Sequence, residues 1–468
     1  MTHTPPPEAL AAVLESLVSH PGLGAAALKA RRLLAERMGP ASSDPDRPLV
    51  VVFMGPSGTG KSTLINSLAD RTVTAAGSRR PTTTEPVAWT GGPMPPVLDG
   101  IRSRLPGLLV ETLKSPPGGV VLIDSPPPGI GDGDGTSVVE ELIDAADGVV
   151  LVASARRYAD EAGLALARRA RRRGSWQAFV LNRLPTAQED QGPLVADFAA
   201  KLAQAEVIPS GDPGVVIAVE EFPADGGSRL PDEAVIGLSK ELDHLCDPVV
   251  RQEVLQSVAA GARRELHRLL AGLRAALVDA EAERAARLDA AALAYAGAAR
   301  TLAVAIDAGE YAPGSDPDEM FALMATAVTR HAGRAALRTA HRWEELGDRL
   351  PTSMWVHDPE TPGLAAERFA WWQGEVLRRA GAHGLFWGRR RRRRLMEALC
   401  RAVADPAAAV TPAQARLIDR HPGGAAAARD SLLGEIEGVL QADRARFTGS
   451  LGGPSRPEAL ESLTLEAG

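Results

Sequence analysis

One short stretch, VVFMGPSGTGKSTLINSL from Val51 to Leu68, constrains this chain more than any other. Its start belongs to the run LVVVFM, which is continuously apolar, as strands buried on both faces of a parallel sheet are. From Lys61 onward the spacing predicts a helix. Between the two, GPSGTGKS fits the pattern G-x-x-x-x-G-K-[ST] from Gly55 to Ser62. A strand, a glycine-rich turn and a helix in this order predict an α/β fold with an anion-binding loop.

The residue types of this loop are those that hold phosphate groups. Glycines permit backbone angles that aim successive amide N–H groups inward, and the start of the helix adds positive partial charge. The Lys61 ammonium is predicted to reach the β- and γ-phosphates, and the Ser62 hydroxyl to bind Mg²⁺. The alternative is a flexible turn without a ligand, which the flanking strand and helix disfavour. The predicted nucleotide-binding residues are Gly55, Pro56, Ser57, Gly58, Thr59, Gly60, Lys61, Ser62 and Thr63.

Four more runs with the character of buried strands follow, at 120–125, 148–154, 176–182 and 214–220. Helical segments are predicted at 61–70, 136–146, 160–172 and 191–206. Alternation of strand and helix predicts a mostly parallel sheet with helices on both faces. Together with the motif at Gly55–Ser62, this predicts an α/β P-loop NTPase fold. We place this domain at 48–235, after an N-terminal helical segment at 1–47.

The second part of the chain, 236–448, is rich in Ala, Arg, Leu and Glu, which predicts an all-α helical domain. Between Asp247 and Tyr311 the only proline is Pro248. This stretch is therefore one long helix, or two with a break near LAYAGAART. The tail, 449–468, is expected to be disordered.

Composition excludes several classes of protein. The formal net charge of −7 over 468 residues argues against a general nucleic-acid binder. Two distant cysteines, Cys246 and Cys400, give neither a disulfide framework nor a metal-binding spacing. No signal peptide is evident in MTHTPPPEAL, and no run of about 18 apolar residues occurs, so we expect no transmembrane helix. The prediction is a cytoplasmic protein, with peripheral contact at the inner face of the membrane as an alternative.

A carboxylate and a threonine-rich loop follow where a metal-bound nucleotide would need them. In VVLIDSPPPG a buried strand ends in Asp124, where a carboxylate can hold Mg²⁺; the alternative is a cap at the strand end. The loop GSRRPTTTEPVAW offers Thr82, Thr83 and Thr84. Thr83 is the candidate to contact Mg²⁺ and the γ-phosphate and to gate this loop, with a plain surface loop as the alternative.

Taken in order, these segments resemble the TRAFAC-class GTPases, in particular the bacterial dynamin-like and Era-like G-domain proteins. GPSGTGKSTLINSL looks like the first motif of that class, RRPTTTEP like the second, and DSPPPG like a variant of the third. The base-reading motif N-K-x-D is matched in part by VLNRLP. Asn182 is present, Arg183 replaces the lysine, and Pro185 stands where an aspartate would accept the guanine N–H groups. The glycine of the third motif comes two residues late, at Gly129.

The resemblance implies a protein that binds GTP with Mg²⁺ and hydrolyses it slowly to GDP. Lys61 and Thr83 would be the catalytic residues, and Asn182 and Arg183 would lie at the base. Because Pro185 leaves the base donors unpaired, two alternatives remain: an ATP-using P-loop NTPase, and a nucleotide-binding scaffold without meaningful turnover. Homodimerisation through the helical domain or the G domain is also implied. The implied metal ligands are Ser62, Thr83 and Asp124.

Six consecutive arginines, Arg389–Arg394, stand out in an acidic chain. Nearby aromatic residues include Phe369, Trp371, Trp372 and Trp387. Arginines beside aromatic rings suit an anionic membrane surface, and they also suit nucleic-acid phosphates. A third interpretation is a solvated basic helix start whose aromatic residues pack into the helical core. The resemblance favours the membrane over nucleic acid, and we do not expect nucleic acid as a partner.

Overall fold

The structure is a computed structural model. It describes residues 7–20, 22–38, 44–74, 85–91, 96–112, 119–128, 138–209, 216–222, 229–311, 316–347, 360–382, 388–405, 410–449 and 451. Several predictions fall outside these ranges, namely those on Thr82, Thr83, Thr84, Gly129 and Trp387 and on nearly all of the tail. The described residues form two compact units: a sheet unit that ends at Arg274, and a helical unit that begins at Ala275. The sequence-based boundary was placed earlier, at 235/236.

The sheet unit begins with two helices and then alternates between strand and helix. Its elements are α1 (Pro7–Val18), α2 (Gly24–Arg37), β1 (Leu49–Met54), α3 (Lys61–Leu68), β2 (Val87–Thr90), α4 (Pro96–Arg104), β3 (Leu109–Thr112), β4 (Val120–Asp124), α5 (Val138–Ala145), β5 (Gly148–Ser154), α6 (Glu161–Arg172), β6 (Trp176–Leu184), α7 (Gln188–Gln204), β7 (Val216–Glu220), α8 (Asp232–His244) and the first part of α9 (Pro248–Asp307).

Among the described residues, seven strands form one sheet in the order β3-β2-β4-β1-β5-β6-β7. Neighbouring strands are parallel, except that β2 runs antiparallel to β4. Strand β1 lies between β4 on one side and β5 on the other. In open α/β sheets, ligands bind at the carboxyl ends of the strands where the order reverses in this way. The loop after β1 lies at that point.

Apolar side chains on both faces of the central strands explain why helices cover the sheet on both sides. In β1, Val50, Val52 and Met54 pack in one core cluster with residues of α4, α5, α6 and α7. Leu49, Val51 and Phe53 pack in the other with residues of α3, α8 and the start of α9. This alternation follows from the two-residue period of a strand. The predicted fold class, a mostly parallel sheet with helices followed by an all-α part, is confirmed.

Asp147, directly before β5, joins the N-terminal helices to the amino edge of the sheet. Its fully buried carboxylate accepts hydrogen bonds from Arg37 at 2.8 Å and from Arg47 at 2.7 and 2.8 Å. It also accepts one from the Val50 amide at 2.9 Å. The two guanidinium groups share this carboxylate, and Arg37 also donates to the carbonyl oxygens of Asp144 and Ala146, so the buried charges are hydrogen-bonded.

Comparison with the sequence predictions shows where local pattern was enough. The strands at 49–54, 120–125, 148–154, 176–182 and 214–220 are present within about two residues of the predicted ends. The strands Val87–Thr90 and Leu109–Thr112 were not predicted. Each has only four residues, and Leu109–Thr112 lies at the sheet edge with mostly exposed side chains. Strands of four residues are too short to show a recognisable apolar pattern.

The helical unit contains the rest of α9, then α10 (Pro317–Glu345), α11 (Thr361–Arg379), α12 (Arg389–Ala404), α13 (Pro412–Ile418) and α14 (Gly424–Gly449). Helix α9 is continuous over 60 residues, so LAYAGAART does not break it. Phe369 and Trp372 are buried in the helical core, as the third interpretation of the arginine-rich region expected of its aromatic residues. Trp371 is 55% exposed.

One helix among the described residues, α9, is long and apolar enough to cross a membrane by length and composition. In the most apolar 18-residue stretch of this helix, 33% of the residues are buried. We expected no transmembrane helix because the sequence has no uninterrupted apolar run of sufficient length. Helix α9 contains charged residues, but its many alanines make part of it apolar on average. Core helices of soluble proteins share this length and composition.

Candidate functional site

The glycine-rich loop joins β1 to α3 and lies next to β5. Gly55 has a φ of 140°, and a Cβ placed there would lie 2.2 Å from the carbonyl oxygen of Val152. No side chain fits such a gap, so glycine is required. Gly58 and Gly60 also have positive φ angles, 77° and 98°. These angles turn the backbone as a phosphate-binding nest requires.

Asn182, near the carboxyl end of β6, contacts this loop through its side chain. Its Nδ2 donates a hydrogen bond to the carbonyl oxygen of Thr59 at 2.8 Å. A Cβ at Gly60 would lie 2.3 Å from the same nitrogen. The Asn182 side chain therefore occupies the space that any side chain at position 60 would need.

Lys61 lies folded over its own loop. Its Nζ donates to the carbonyl oxygens of Gly55 at 2.9 Å and Pro56 at 3.2 Å, and the residue is 6% exposed. Burial lowers the pKa of the Lys61 ammonium, while the nearby charge of Asp124 acts to raise it. The Lys61 ammonium therefore lies against the inner side of the loop, where its hydrogen-bond acceptors are neutral carbonyl oxygens. Phosphate oxygens bound in the loop would add negatively charged acceptors.

The Ser62 hydroxyl donates a 2.6 Å hydrogen bond to Oδ2 of Asp124, which is 1% exposed. The Thr74 hydroxyl donates to the same oxygen at 2.8 Å. Sequence reasoning did not single out Thr74, which comes after α3 and has no periodic pattern around it. Asn66 holds it in place, because Asn66 Oδ1 accepts from the Thr74 amide at 3.0 Å and Nδ2 donates to the Thr74 carbonyl at 2.9 Å.

The donor set around Asp124 fits Mg²⁺. The ion prefers oxygen ligands, and proteins hold it through one or two carboxylates together with substrate phosphates. Asp124 and Ser62 supply a carboxylate and a hydroxyl oxygen at one point beside the loop. In the part of the chain that the structure describes, no group of three or more His, Cys, Asp or Glu residues is placed to hold a metal by itself.

The other predicted residues lie around this centre. Thr59 is buried, and its hydroxyl donates to the carbonyl oxygen of Pro56 at 3.0 Å. Ser57 and Thr63 are half-buried in the loop and the first turn of α3. Arg183 is exposed, with a φ of 59°. The structure thus brings Lys61, Ser62, Asp124 and Asn182 to one place, and Thr83 is outside the described residues.

A further contact at the end of β6 was missed from the sequence. Gln191, in the first turns of α7, donates from Nε2 to the carbonyl oxygen of Pro185 at 2.8 Å and to Oε1 of Glu220 at 2.8 Å. Glu220 is the last residue of β7. A glutamate at the carboxyl end of a predicted strand was the available signal.

Comparison with known proteins gives no family. No family model matches this sequence, and no curated protein matches it. One similar solved structure is described as an oligomerised bacterial dynamin pair that senses and tethers membranes over long range. It has 11% identity and a TM-score of 0.30, over 95% of this chain and 73% of that one. The bacterial dynamin GTPase LeoA from ETEC has 12% identity and a TM-score of 0.31, over 98% of this chain and 91% of that one. These values are low, so a function has to follow from the site itself.

Proposed function

We propose that this protein binds GTP together with Mg²⁺ and hydrolyses it slowly to GDP and phosphate. The observation that carries the proposal is the Ser62–Asp124 hydrogen bond, 2.6 Å, beside a loop that also holds the Lys61 ammonium. A phosphate-binding loop, a cation and a paired metal-binding carboxylate are what nucleoside triphosphate hydrolysis needs.

Each group has a separate task in this proposal. The loop amides and Lys61 hold the β- and γ-phosphates and stabilise the charge that spreads over the transferred phosphoryl group. Ser62 and Asp124 would hold Mg²⁺, which would neutralise phosphate charge. Asn182 keeps the loop in shape through Thr59. Thr83, in the threonine-rich loop, is proposed to contact the γ-phosphate and to gate the site.

Slow turnover is expected from the sequence after Asp124. The segment SPPPGIGDGDGTS contains no glutamine, the residue type that orients the attacking water in many GTPases. Hydrolysis would then depend on self-assembly or on a partner protein. If turnover is absent altogether, binding alone would set assembly, which is the scaffold alternative. An ATP-using enzyme is the other alternative, because Pro185 has no acceptor side chain for the base.

The helical unit is proposed to contact anionic membrane or a second copy of the chain. Five of the six arginines at the start of α12 are exposed, all but Arg392. Arg393 pairs with Glu397 at 3.0 Å and Asp316 at 3.6 Å. Exposed arginines on one helix attract anionic headgroups, each by roughly 1 kcal/mol near a charged surface.

Calorimetric titration with non-hydrolysable GTP and ATP analogues, each with Mg²⁺, tests the proposal. We expect the guanine analogue to bind at least about tenfold more tightly than the adenine analogue. Equal or adenine-favoured binding would replace the GTPase proposal by a general P-loop NTPase. Binding without release of phosphate in a separate turnover assay would favour the scaffold.

A further inference from the structure

Guanine differs from adenine in presenting two adjacent donors, N1–H and the 2-amino group. A site that selects guanine has to offer acceptors for both, because an unpaired donor in a desolvated site is costly. A carboxylate does so with its two oxygens. Pro185 removes the carboxylate from the position where the resemblance places it, so under the proposed function another acceptor is needed near the end of β6.

The described structure places one carboxylate beside Pro185. The Nε2 atom of Gln191 donates to the Pro185 carbonyl oxygen and to Oε1 of Glu220, both at 2.8 Å. The Glu220 carboxylate and the Pro185 backbone are therefore separated by a single amide nitrogen. Glu220 pairs in register with Leu184, and the Glu221 amide donates to the Leu184 carbonyl at 2.8 Å.

The strand order indicates on which side of the loop a nucleoside would lie. Asp124 on β4 lies on one side of the loop, and Asn182 on β6 contacts it from the other. With the metal-binding carboxylate on the β4 side, the base is expected toward β6 and β7. Glu220 ends β7 at that edge and is half-buried, so its carboxylate is partly shielded from water. A glutamate also reaches one methylene further than an aspartate.

We propose that Glu220, held by Gln191, is the residue that selects guanine in this protein, in place of the aspartate that Pro185 removes. The inference rests on the proposed function. Asp190 is the nearest other carboxylate in sequence, but it is exposed in the first turn of α7. Glu221 is exposed as well. Neither of the two accepts the Gln191 bond that holds Glu220 next to Pro185.

The substitution E220Q tests this because it keeps size and can still accept the bond from Gln191. A glutamine amide offers one acceptor and one donor. That pattern fails for guanine but matches xanthine, which carries N1–H and a carbonyl at position 2. In titrations of the full chain with non-hydrolysable analogues and Mg²⁺, we expect E220Q to bind the guanosine analogue about 10- to 100-fold more weakly. We expect it to bind the xanthosine analogue at least about tenfold more tightly than the unmodified protein does.

Two exposed neighbours provide matched controls, E221Q and D190N, and neither should change the ratio of guanosine to xanthosine affinity. Q191A, which removes the group that positions Glu220, should weaken guanosine binding without any gain for xanthosine. A gain in xanthosine binding cannot come from misfolding, so the E220Q result does not depend on a loss alone.

The outcomes separate the two proposals. If the unmodified protein prefers guanine and E220Q has the same ratio of guanosine to xanthosine affinity, the role of Glu220 is overturned and the proposal of GTP binding stands. Unmodified protein that does not prefer guanine over adenine overturns both. If E220Q shifts its preference from the guanosine to the xanthosine analogue, and E221Q and D190N do not, both GTP binding and the role of Glu220 are supported.

Discussion

The Ser62 hydroxyl lies 2.6 Å from the carboxylate of Asp124, and this hydrogen bond links the helix after β1 to the end of β4. The two residues are 62 positions apart in sequence. Their contact follows from the parallel pairing of β1 with β4, which aligns Phe53 with Asp124. The pair defines the point at which a metal-bound nucleotide would meet the sheet.

Replacement of Asp124 by asparagine is expected to remove the Mg²⁺ dependence of nucleotide binding, since the neutral amide is a much weaker Mg²⁺ ligand. The measurement is titration of a GTP analogue with Mg²⁺ and with excess chelator. Unmodified protein should lose affinity when the ion is removed, and the variant should not respond. Asp99→Asn, an exposed carboxylate on α4, is the control. An Mg²⁺ response in Asp124→Asn equal to that of the control would contradict the metal role.

Asn182→Ala is expected to weaken binding of GTP and ATP analogues by a similar factor, roughly tenfold, because the Thr59 carbonyl loses its buried partner and the loop loosens. A base-reading role would instead weaken the guanosine analogue alone. Arg172→Ala, at an exposed position on α6, is the control and should change little. Titration of both analogues against each variant distinguishes the two roles.

Asp147→Asn is expected to destabilise the sheet unit by about 3–5 kcal/mol, because Arg37 and Arg47 keep their charges with too few acceptors. Chemical denaturation followed by circular dichroism measures this. The exposed Asp46→Asn is a nearby control and should stay within about 0.5 kcal/mol of the unmodified protein.

The same carboxylate gives a pH dependence. Burial acts to raise the pKa of Asp147, but the hydrogen bond from Arg47 and the charges of Arg37 and Arg47 outweigh it and hold the pKa below the ordinary 3.8. Its contribution to stability is therefore complete above that value and is lost as the pH falls through the lowered pKa. The unfolding free energy of Asp147→Asn should fall less steeply with acid than that of the unmodified protein. Equal slopes would contradict this assignment.

A buried carboxylate also joins three helices of the helical unit. Asp443 on α14 accepts from the Tyr295 hydroxyl at 2.6 Å and from the Thr361 hydroxyl at 2.8 Å. Tyr295→Phe should lower the stability of this unit by about 1–3 kcal/mol, because an acceptor that is nearly buried loses a partner. Tyr311→Phe, at a half-buried site, is the control. If the denaturation curves of Tyr295→Phe and Tyr311→Phe coincide, the Tyr295 hydroxyl has no stabilising role.

Replacement of Arg389–Arg394 by glutamine should reduce sedimentation with anionic liposomes, and more strongly at low than at high salt. Glutamine at Arg330, Arg334 and Arg338, which are exposed on α10, is the control for a general loss of positive charge. Equal losses in both variants would point to net charge rather than to the start of α12. No sedimentation of the unmodified protein would remove the membrane proposal.

Local pattern was sufficient for the elements that form the centre of the site. The run from Leu49 to Met54 is apolar on both faces, and such a run can only be a buried strand or helix segment. The glycines and Lys61 lie within a few residues of it, so the loop and its chemistry could be predicted from adjacent positions. Asp124 followed in the same way from the strand that precedes it.

Contacts between distant segments were decided by tertiary structure alone. Asn182 meets Thr59 across 123 positions, Arg37 meets Asp147 across 110, and Gln191 meets Glu220 across 29. No periodicity connects such residues, because strand order and register determine which side chains share an edge. Residue types and spacing thus determined the glycine-rich loop between β1 and α3. The strand order, with β4 on one side of β1 and β5, β6 and β7 on the other, decided which side chains surround that loop.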